Sequence, residues 1–112
     1  MANILSISYD ASLLWTRQLM LQQLGHNVVS AEGFVAALEA SEAPNVEFDI
    51  AILGHSIPAK DKERIITHFR QRCKSPILAL LRPHEAAVQG ADRSIDPEPE
   101  GLIAAVREML ST

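Results

Sequence analysis

The chain has 112 residues, 47% of them hydrophobic and 21% charged, with a formal net charge of −4 at pH 7. This length suits one domain with a single core, so we expect residues 1–112 to form one domain. The acidic balance gives no reason to expect binding to nucleic acid or to an anionic membrane. Cys73 is the only cysteine, which excludes a disulfide within the chain. Because no apolar stretch is long enough to span a bilayer and no leader pattern follows Met1, we expect a cytoplasmic protein.

The first two elements are a β-rich run and a capped helix. The run from Asn3 to Ser8, NILSIS, is typical of a central strand whose serines are small enough to be buried. Asp10 is a favourable N-cap for a helix from Ala11 to Leu24, which Gly25 ends. Helical spacing predicts an inner face made of Leu13, Met20, Leu21 and Leu24.

The rest of the chain alternates strands with helices. We predict strands over residues 27–30, 50–53, 76–81 and 92–95, and helices over residues 33–40, 60–73 and 99–110. The helix over 60–73 has an apolar inner face, and its basic outer face, with the lysine that follows it, consists of Lys60, Lys62, Arg64, Arg70, Arg72 and Lys74. The segment RPHEAAVQG leaves room for only a turn or two of helix between the last two strands. This alternation predicts a three-layer α/β sandwich with a parallel sheet in the order 2-1-3-4-5.

A glycine ends the third predicted strand. The stretch Phe48 to Pro58, FDIAILGHSIP, is apolar up to Leu53 and breaks at Gly54. In an open α/β sheet, function is placed at the carboxyl ends of the strands. The position where a reactive carboxylate would be most useful therefore has no side chain. A backbone that needs a positive φ or a close approach would also explain this glycine.

Several stretches together resemble one known family. The runs NILSISYD, LGHNVVSAEGFVAALE, FDIAILGHSIP and SPILALL, with GAD at 90–92, are similar in order and spacing to a response-regulator receiver domain of two-component signalling. The resemblance covers nearly the whole chain and implies the flavodoxin-like (CheY-like) fold, with the helix between the fourth and fifth strands shortened. It also implies nucleophilic chemistry, in which a carboxylate after the third strand takes a phosphoryl group with the help of Mg²⁺ and a lysine.

The residues needed for that chemistry are missing. The phosphoacceptor position falls on Gly54, and the acidic pair that holds Mg²⁺ falls on Ser8 and Tyr9, followed by Asp10. The hydroxyl sensor falls on Leu81, with Arg82 next, and the aromatic switch falls on Ser94. The lysine falls near Ile95 or Asp96. We therefore expect a scaffold without phosphoryl transfer, which is not an enzyme and needs no cofactor.

A ligand site at the same sheet edge is the alternative. Five polar residues could converge there and form a metal or small-ligand site in the vacated pocket: Asp10, His55, Ser56, His84 and Asp96. None of them has the helical spacing typical of metal ligands. The glycines stand alone, so no G-x-G-x-x-G or P-loop predicts a nucleotide or flavin.

The first helix offers a candidate interaction surface. Its predicted inner face leaves Leu14 and Trp15 pointing partly outward, with Gln18 on the same side. Exposed aromatic residues are typical anchors of protein interfaces, although Trp15 could instead fold over the sheet edge or be buried by a rotation of the helix. We expect a phosphorylation-independent interaction module that binds a regulatory or sensor protein, a second copy of itself, or both.

Overall fold

The structure is a computed structural model, and it describes residues 2–43 and 47–111. Its strands are β1 (Asn3–Ser8), β2 (Asn27–Glu32), β3 (Ile50–Leu53), β4 (Ile77–Leu80) and β5 (Arg93–Ile95). Its helices are α1 (Ala11–Gln23), α2 (Phe34–Ser41), α3 (Ala59–Arg72) and α4 (Pro99–Leu110). Residues 44–46, between α2 and β3 in the sequence, lie outside the described residues.

The five strands form one parallel sheet in the order β2-β1-β3-β4-β5, as the sequence predicts. β1, β3 and β4 are the inner strands, and they are buried on both faces apart from the first residue of β1. β5 is a short edge strand whose residues are half-buried or exposed. Within the described part of the chain, no helix is both long and apolar enough to cross a membrane.

The core lies in two layers, one on each face of the sheet. Ile4 and Ile52 face α1 and α4, where they pack with Leu21 and Val106. The neighbouring strand residues face α2 and α3, where they pack with Ala37, Ile65 and Phe69. Because successive residues of a strand point to opposite faces, each inner strand supplies both layers. This arrangement is the predicted three-layer sandwich.

The buried stripe of α1 differs from the prediction. Leu14, Arg17 and Leu21 are its buried residues, whereas Leu13 and Met20 are half-buried and Leu24 is exposed. Apolar residues occur on most faces of this helix, so their spacing fits more than one rotation about the helix axis. Packing against β1 and β2 selects the rotation that buries Leu14.

The connection between β4 and β5 contains no helix, so the predicted short helix is wrong. Residues 81–92 form turns and extended chain, with His84 in the left-handed region at φ 66°. This connection must return from the carboxyl end of the sheet to its amino end. Extended chain advances about 3.3 Å per residue and a helix only about 1.5 Å, so a short connection has to be extended.

Candidate functional site

The carboxyl ends of β1 and β3 are neighbours and place Ser8 beside Gly54. Ile7 pairs with Leu53, and the Gly54 amide continues the ladder by donating to the Ile7 carbonyl at 2.8 Å. A Cβ on residue 54 would lie 3.0 Å from the Ile7 carbonyl oxygen, 3.2 Å from Arg17 Nη1 and 3.4 Å from Ser8 Cβ. Gly54 does not have a positive φ. Of the two backbone reasons for a glycine here, close approach is therefore the one that applies.

The guanidinium group beside Gly54 belongs to α1 and was missed by the sequence reasoning. Arg17 is only 6% exposed and lies on the buried stripe between Leu14 and Leu21. Its Nη1 is buried and has no hydrogen-bond partner among the described residues. Burial lowers the pKa of Arg17 from its ordinary value. The spacing of Arg17 from Leu14 and Leu21 was the signal in the sequence, because these residues share one helical face.

Ser8 and Tyr9, the positions that the resemblance assigns to the acidic pair, belong to a hydrogen-bond network built on two serine hydroxyls. The Ser8 hydroxyl lies 3.0 Å from the Ser56 hydroxyl and accepts a hydrogen bond from the Asp10 amide, also at 3.0 Å. Ser56 in turn accepts from the Tyr9 amide at 2.9 Å. The Asp10 carboxylate caps α1 as predicted, accepting from the Leu13 amide at 3.0 Å. These contacts fix the β1–α1 and β3–α3 loops to each other.

Tyr9 is turned away from the sheet edge toward α3. Its hydroxyl donates to the Asp61 carboxylate at 2.9 Å. Burial, together with this hydrogen bond and the negative charge of Asp61, raises the pKa of Tyr9 to about 12. Tyr9 therefore stays protonated and neutral across the physiological range.

A lysine of α3 reaches the carboxyl end of β4. Lys62 is fully buried, so its predicted place on the basic outer face of α3 is wrong. Its ammonium group donates to the Leu80 carbonyl at 2.8 Å and to the Glu85 carboxylate at 2.7 Å. Burial by itself would raise the pKa of Glu85, but the Arg82 amide and Lys62 outweigh it and lower that pKa. The pair joins α3 to the β4–β5 connection.

Arg82, in the β4–β5 connection, binds the loop that follows β3. Its guanidinium donates to the carbonyls of His55 and Ser56, both at 2.9 Å. The preceding residue, Leu81, donates its amide to the Ile95 carbonyl at 2.8 Å. Leu81, at the sensor position, is thus an apolar residue that extends the sheet. Arg82 is hydrogen-bonded to the β3–α3 loop.

The pKa of His55 depends on the charges around this edge of the sheet. Burial lowers its pKa, and the positive charges of Arg17, Lys62 and Arg82 lower it further, while Asp10 acts in the opposite direction. His55 Nδ1 is buried and has no hydrogen-bond partner in the described part of the chain. Cations therefore outweigh acids around the carboxyl end of β3, which is the reverse of an acidic pocket.

These residues do not fit the Mg²⁺ that the receiver resemblance implies. Mg²⁺ is held by carboxylate oxygens, but the matching positions carry the Ser8 hydroxyl and the Tyr9 side chain, and the Asp10 carboxylate caps a helix. A buried guanidinium nitrogen, Arg17 Nη1, lies 3.2 Å from the point where the acceptor side chain would begin. Among residues 2–43 and 47–111, no group of three His, Cys, Asp or Glu could hold a metal ion.

The five polar residues of the alternative site have different roles. Ser56 belongs to the hydroxyl network with Ser8, and Asp10 is the cap of α1. His55 is half-buried at the cationic edge, whereas His84 and Asp96 are exposed in loops. The observed geometry therefore supplies no metal-ligand set from these side chains.

The predicted interaction surface on α1 is partly wrong. Leu14 is 7% exposed and belongs to the buried stripe, because the helix is rotated from its predicted position. Trp15 is 58% exposed, and Leu19, one turn further along, is 41% exposed. Gln18 is half-buried and accepts a hydrogen bond from the Ser30 hydroxyl at 2.8 Å. The exposed apolar pair on this helix is therefore Trp15 and Leu19.

No protein-family model matches the sequence, and the curated proteins contain no significant match to it. Solved structures do match its fold. A two-component response regulator from Clostridium difficile has a TM-score of 0.83 and 18% identity, covering 99% of this chain and 97% of its own. The N-terminal domain of a response regulator/sensory box/GGDEF protein from Carboxydothermus hydrogenoformans has a TM-score of 0.82 and 19% identity, covering 97% and 94%.

A third similar structure is a response regulator from Thermotoga maritima in complex with Mg²⁺ and BeF. Its TM-score is 0.81 at 20% identity, and the alignment covers 98% of this chain and 100% of the regulator. Identities this low establish a shared fold. The chain has the CheY-like, flavodoxin-like fold of response-regulator receiver domains.

Proposed function

We propose that this protein is a receiver-like domain that acts without phosphorylation, as a protein-interaction module in two-component or related regulation, and that it is not an enzyme. One observation carries the proposal. The guanidinium of Arg17 lies 3.2 Å from the point where the side chain of a phosphoacceptor would begin, and residue 54 is a glycine. The fold is kept while its nucleophile position is replaced by backbone and a buried cation.

The surrounding residues support the same conclusion. Phosphoryl transfer needs a nucleophile and a positioned divalent cation that neutralises the transferring group. Gly54 has no nucleophile, and Ser8 and Tyr9 provide no carboxylate for a cation. Lys62 is committed to Glu85 and to the Leu80 carbonyl. A domain of this kind would act through the surfaces that it presents to other proteins.

The surface formed by Trp15 and Leu19 is the proposed contact region. Both residues are large, apolar and exposed on the outer side of α1. Aromatic side chains in such positions often carry a large share of binding energy. The partner would be a regulatory or sensor protein, or a second copy of this chain.

The loss of phosphorylation is tested directly with a phosphodonor. The protein is incubated with Mg²⁺ and acetyl phosphate, and its intact mass is measured over time, with a phosphorylatable receiver domain treated in parallel. We expect no gain of a phosphoryl group, because residue 54 lacks a carboxylate. A stoichiometric phosphoryl adduct at any carboxylate of this sheet edge would refute the proposal.

The interaction surface is tested with Trp15→Ala and the matched control Val35→Ala, which also truncates an exposed apolar residue, on α2. Sedimentation velocity over a range of concentrations measures self-association, and quantitative affinity capture compares bound proteins. We expect Trp15→Ala to weaken association by roughly 30-fold, and Val35→Ala to leave it unchanged. Equal binding by wild type and Trp15→Ala would remove this surface from the proposal.

A further inference from the structure

The outer edge of β2 presents backbone amides that have no partner among the described residues. β2 is the last strand on its side of the sheet and pairs with β1. The amides of Asn27 and Gly33 donate to carbonyls of the β1 segment at 2.8 and 3.1 Å. Because amides alternate in direction along a strand, those of Val28, Ser30 and Glu32 face outward. The open edge therefore runs along the whole strand.

β2 also lacks the features that usually protect an exposed strand edge. Such edges are commonly blocked by lysine, by proline or by a bulge. The strand Asn27–Glu32, NVVSAE, contains neither lysine nor proline, and its register with β1 is continuous. Val29, near its middle, is an exposed apolar residue. An extended strand of another chain would therefore find a free and regular edge to pair with.

α1 leaves room for a second molecule beside this edge. Arg17 reaches across β1 to the end of β3, whereas Gln18 accepts a hydrogen bond from the Ser30 hydroxyl of β2 at 2.8 Å. The flank of α1, rather than its axis, therefore lies over the edge strand. Trp15 is one turn before Gln18, and Leu19 is one turn after Trp15, so both exposed side chains lie along this outer flank.

This side of the molecule is almost free of exposed charge. Residues 11–38 contain Arg17 and Glu32 as their only Lys, Arg, Asp or Glu residues. Arg17 is buried, and the two charges cancel, so the net charge of −4 belongs to the rest of the chain. Interface cores are depleted of charged residues. Two copies of an acidic chain repel each other least across an uncharged face, and a charged peptide finds no complementary group there. The charge pattern therefore favours a second copy of this chain.

We propose that the chain forms a two-fold symmetric dimer, in which the β2 edges of two copies pair antiparallel and continue the sheet. The inference rests on the proposed interaction function and names its partner, a second copy. Outward residues pair with outward residues when Ser30 lies opposite Ser30 of the second copy and Val28 lies opposite Glu32. This register uses every outward amide of β2. Trp15 and Leu19 of the two copies then lie on either side of the two-fold axis.

Charge and closure both agree with this arrangement. Each Glu32 lies opposite Val28, so the two carboxylates are about 13 Å apart along the strands. This separation exceeds the Debye length of about 8 Å at physiological ionic strength, so their repulsion is screened. β5, at the other end of the sheet, has only 3 residues, and its Arg93 is paired with Glu108. Pairing of β2 with β5 would be head-to-tail and leave an open edge at each end, whereas pairing of β2 with β2 closes the assembly.

Amide exchange, measured by NMR at increasing protein concentration, tests the pairing residue by residue. Protection of the Val28, Ser30 and Glu32 amides should rise with the dimer fraction from sedimentation velocity, because these amides gain partners. The Val29 and Ala31 amides face β1, so their exchange should change less and is the internal control. A protein that stays monomeric up to about 1 mM would overturn the proposal, and so would a dimer whose outward amides exchange as in the monomer.

Opposite charges at residue 30 give a second test. Ser30→Lys places two ammonium groups opposite each other and should weaken the dimer by at least about tenfold, and Ser30→Asp should do the same with two carboxylates. An equimolar mixture of the two variants should associate at least as tightly as wild type. Gln71→Lys adds the same charge on the exposed side of α3 and should leave the dimer unchanged. A mixture of folded variants that associates no better than either alone would overturn the proposal.

These outcomes separate the strand pairing from the proposed function. A monomeric protein, or a dimer that is insensitive to charge at residue 30, removes the second copy as the partner through β2. The proposed function would then stand or fall on the phosphodonor experiment and on affinity capture with Trp15→Ala. A phosphoryl adduct would refute the proposed function and leave the strand pairing intact.

Discussion

At the carboxyl end of β3, the identity of residue 54 is linked to that of residue 17. A Cβ at position 54 would meet the Ile7 carbonyl oxygen at 3.0 Å and Arg17 Nη1 at 3.2 Å. The carbonyl belongs to the β1–β3 ladder and cannot move freely, whereas the guanidinium is the end of a flexible side chain. A glycine is therefore favoured here by backbone contact.

Gly54→Ala should lower the free energy of unfolding by about 1–3 kcal/mol, the usual cost of overpacking a filled site. The matched control is Gly101→Ala on α4, where a Cβ would meet open space. Removing a glycine from a helix should raise stability there by about 0.5–1 kcal/mol. Urea unfolding measures both. Equal effects of the two substitutions would show that the contacts at residue 54 are not tight.

At the scale of elements, a buried ion pair anchors the connection between β4 and β5, which contains no helix. Lys62 on α3 holds the Leu80 carbonyl and the Glu85 carboxylate, and Glu85 also accepts from the Arg82 amide. Arg82 in turn holds two carbonyls of the β3–α3 loop. The extended connection is therefore anchored by charge-assisted hydrogen bonds rather than by an apolar helical face.

Glu85→Gln should destabilise the protein by about 3 kcal/mol, because it leaves the fully buried ammonium of Lys62 without a counter-charge. Adding Lys62→Met should recover part of this loss, since the double variant buries no charge. Glu39→Gln, an exposed glutamate on α2, should change stability by less than about 0.5 kcal/mol. Urea unfolding of the four proteins is the measurement, and a negligible effect of Glu85→Gln would show that solvent reaches Lys62.

At the scale of the whole molecule, several ionisable groups make the folded state more stable at neutral pH than in acid. The pKa values of Glu85 and Asp92 are lowered, although burial alone would raise both, because hydrogen bonds and cations outweigh burial. For a depressed carboxyl pKa, the stabilisation is present above the unfolded value near 4 and is lost as pH falls. His55 acts in the same direction, because its lowered pKa means that the unfolded chain binds the proton first, from about pH 6.5 downward.

Stability should therefore decline in two stages between about pH 7 and pH 3, first through His55 and then through the carboxyl groups. Asp92 accepts from the Ile77 amide at 2.7 Å and from Arg70 at 2.6 Å. Because Asp92 is partly exposed, Asp92→Asn should cost only about 1 kcal/mol at pH 7. Its unfolding midpoint should approach that of wild type near pH 3. A constant difference across the pH range would contradict this assignment.

Regular patterns in the sequence were sufficient for the fold. The strand of buried residues at 50–53 and the helix at 99–110 occur where they were predicted. Alternation of strands and helices implies parallel crossovers. The observed sheet order is the predicted one of the two common orders of doubly wound sheets. The absence of a carboxylate at Gly54 is also a property of the sequence alone.

Only the tertiary structure decided the rotation of α1 and the contents of the site. Leu14 and Leu24 exchange their predicted environments because apolar residues occur around much of this helix, and packing on the sheet chooses among the rotations. That choice also directs Arg17 inward to Gly54, and the fold brings Lys62 to Glu85. Periodicity within one element determines its type, whereas a contact between distant residues depends on how the elements pack. For this reason the sequence by itself showed that a carboxylate is missing, and the packed structure showed that a cation lies beside its position.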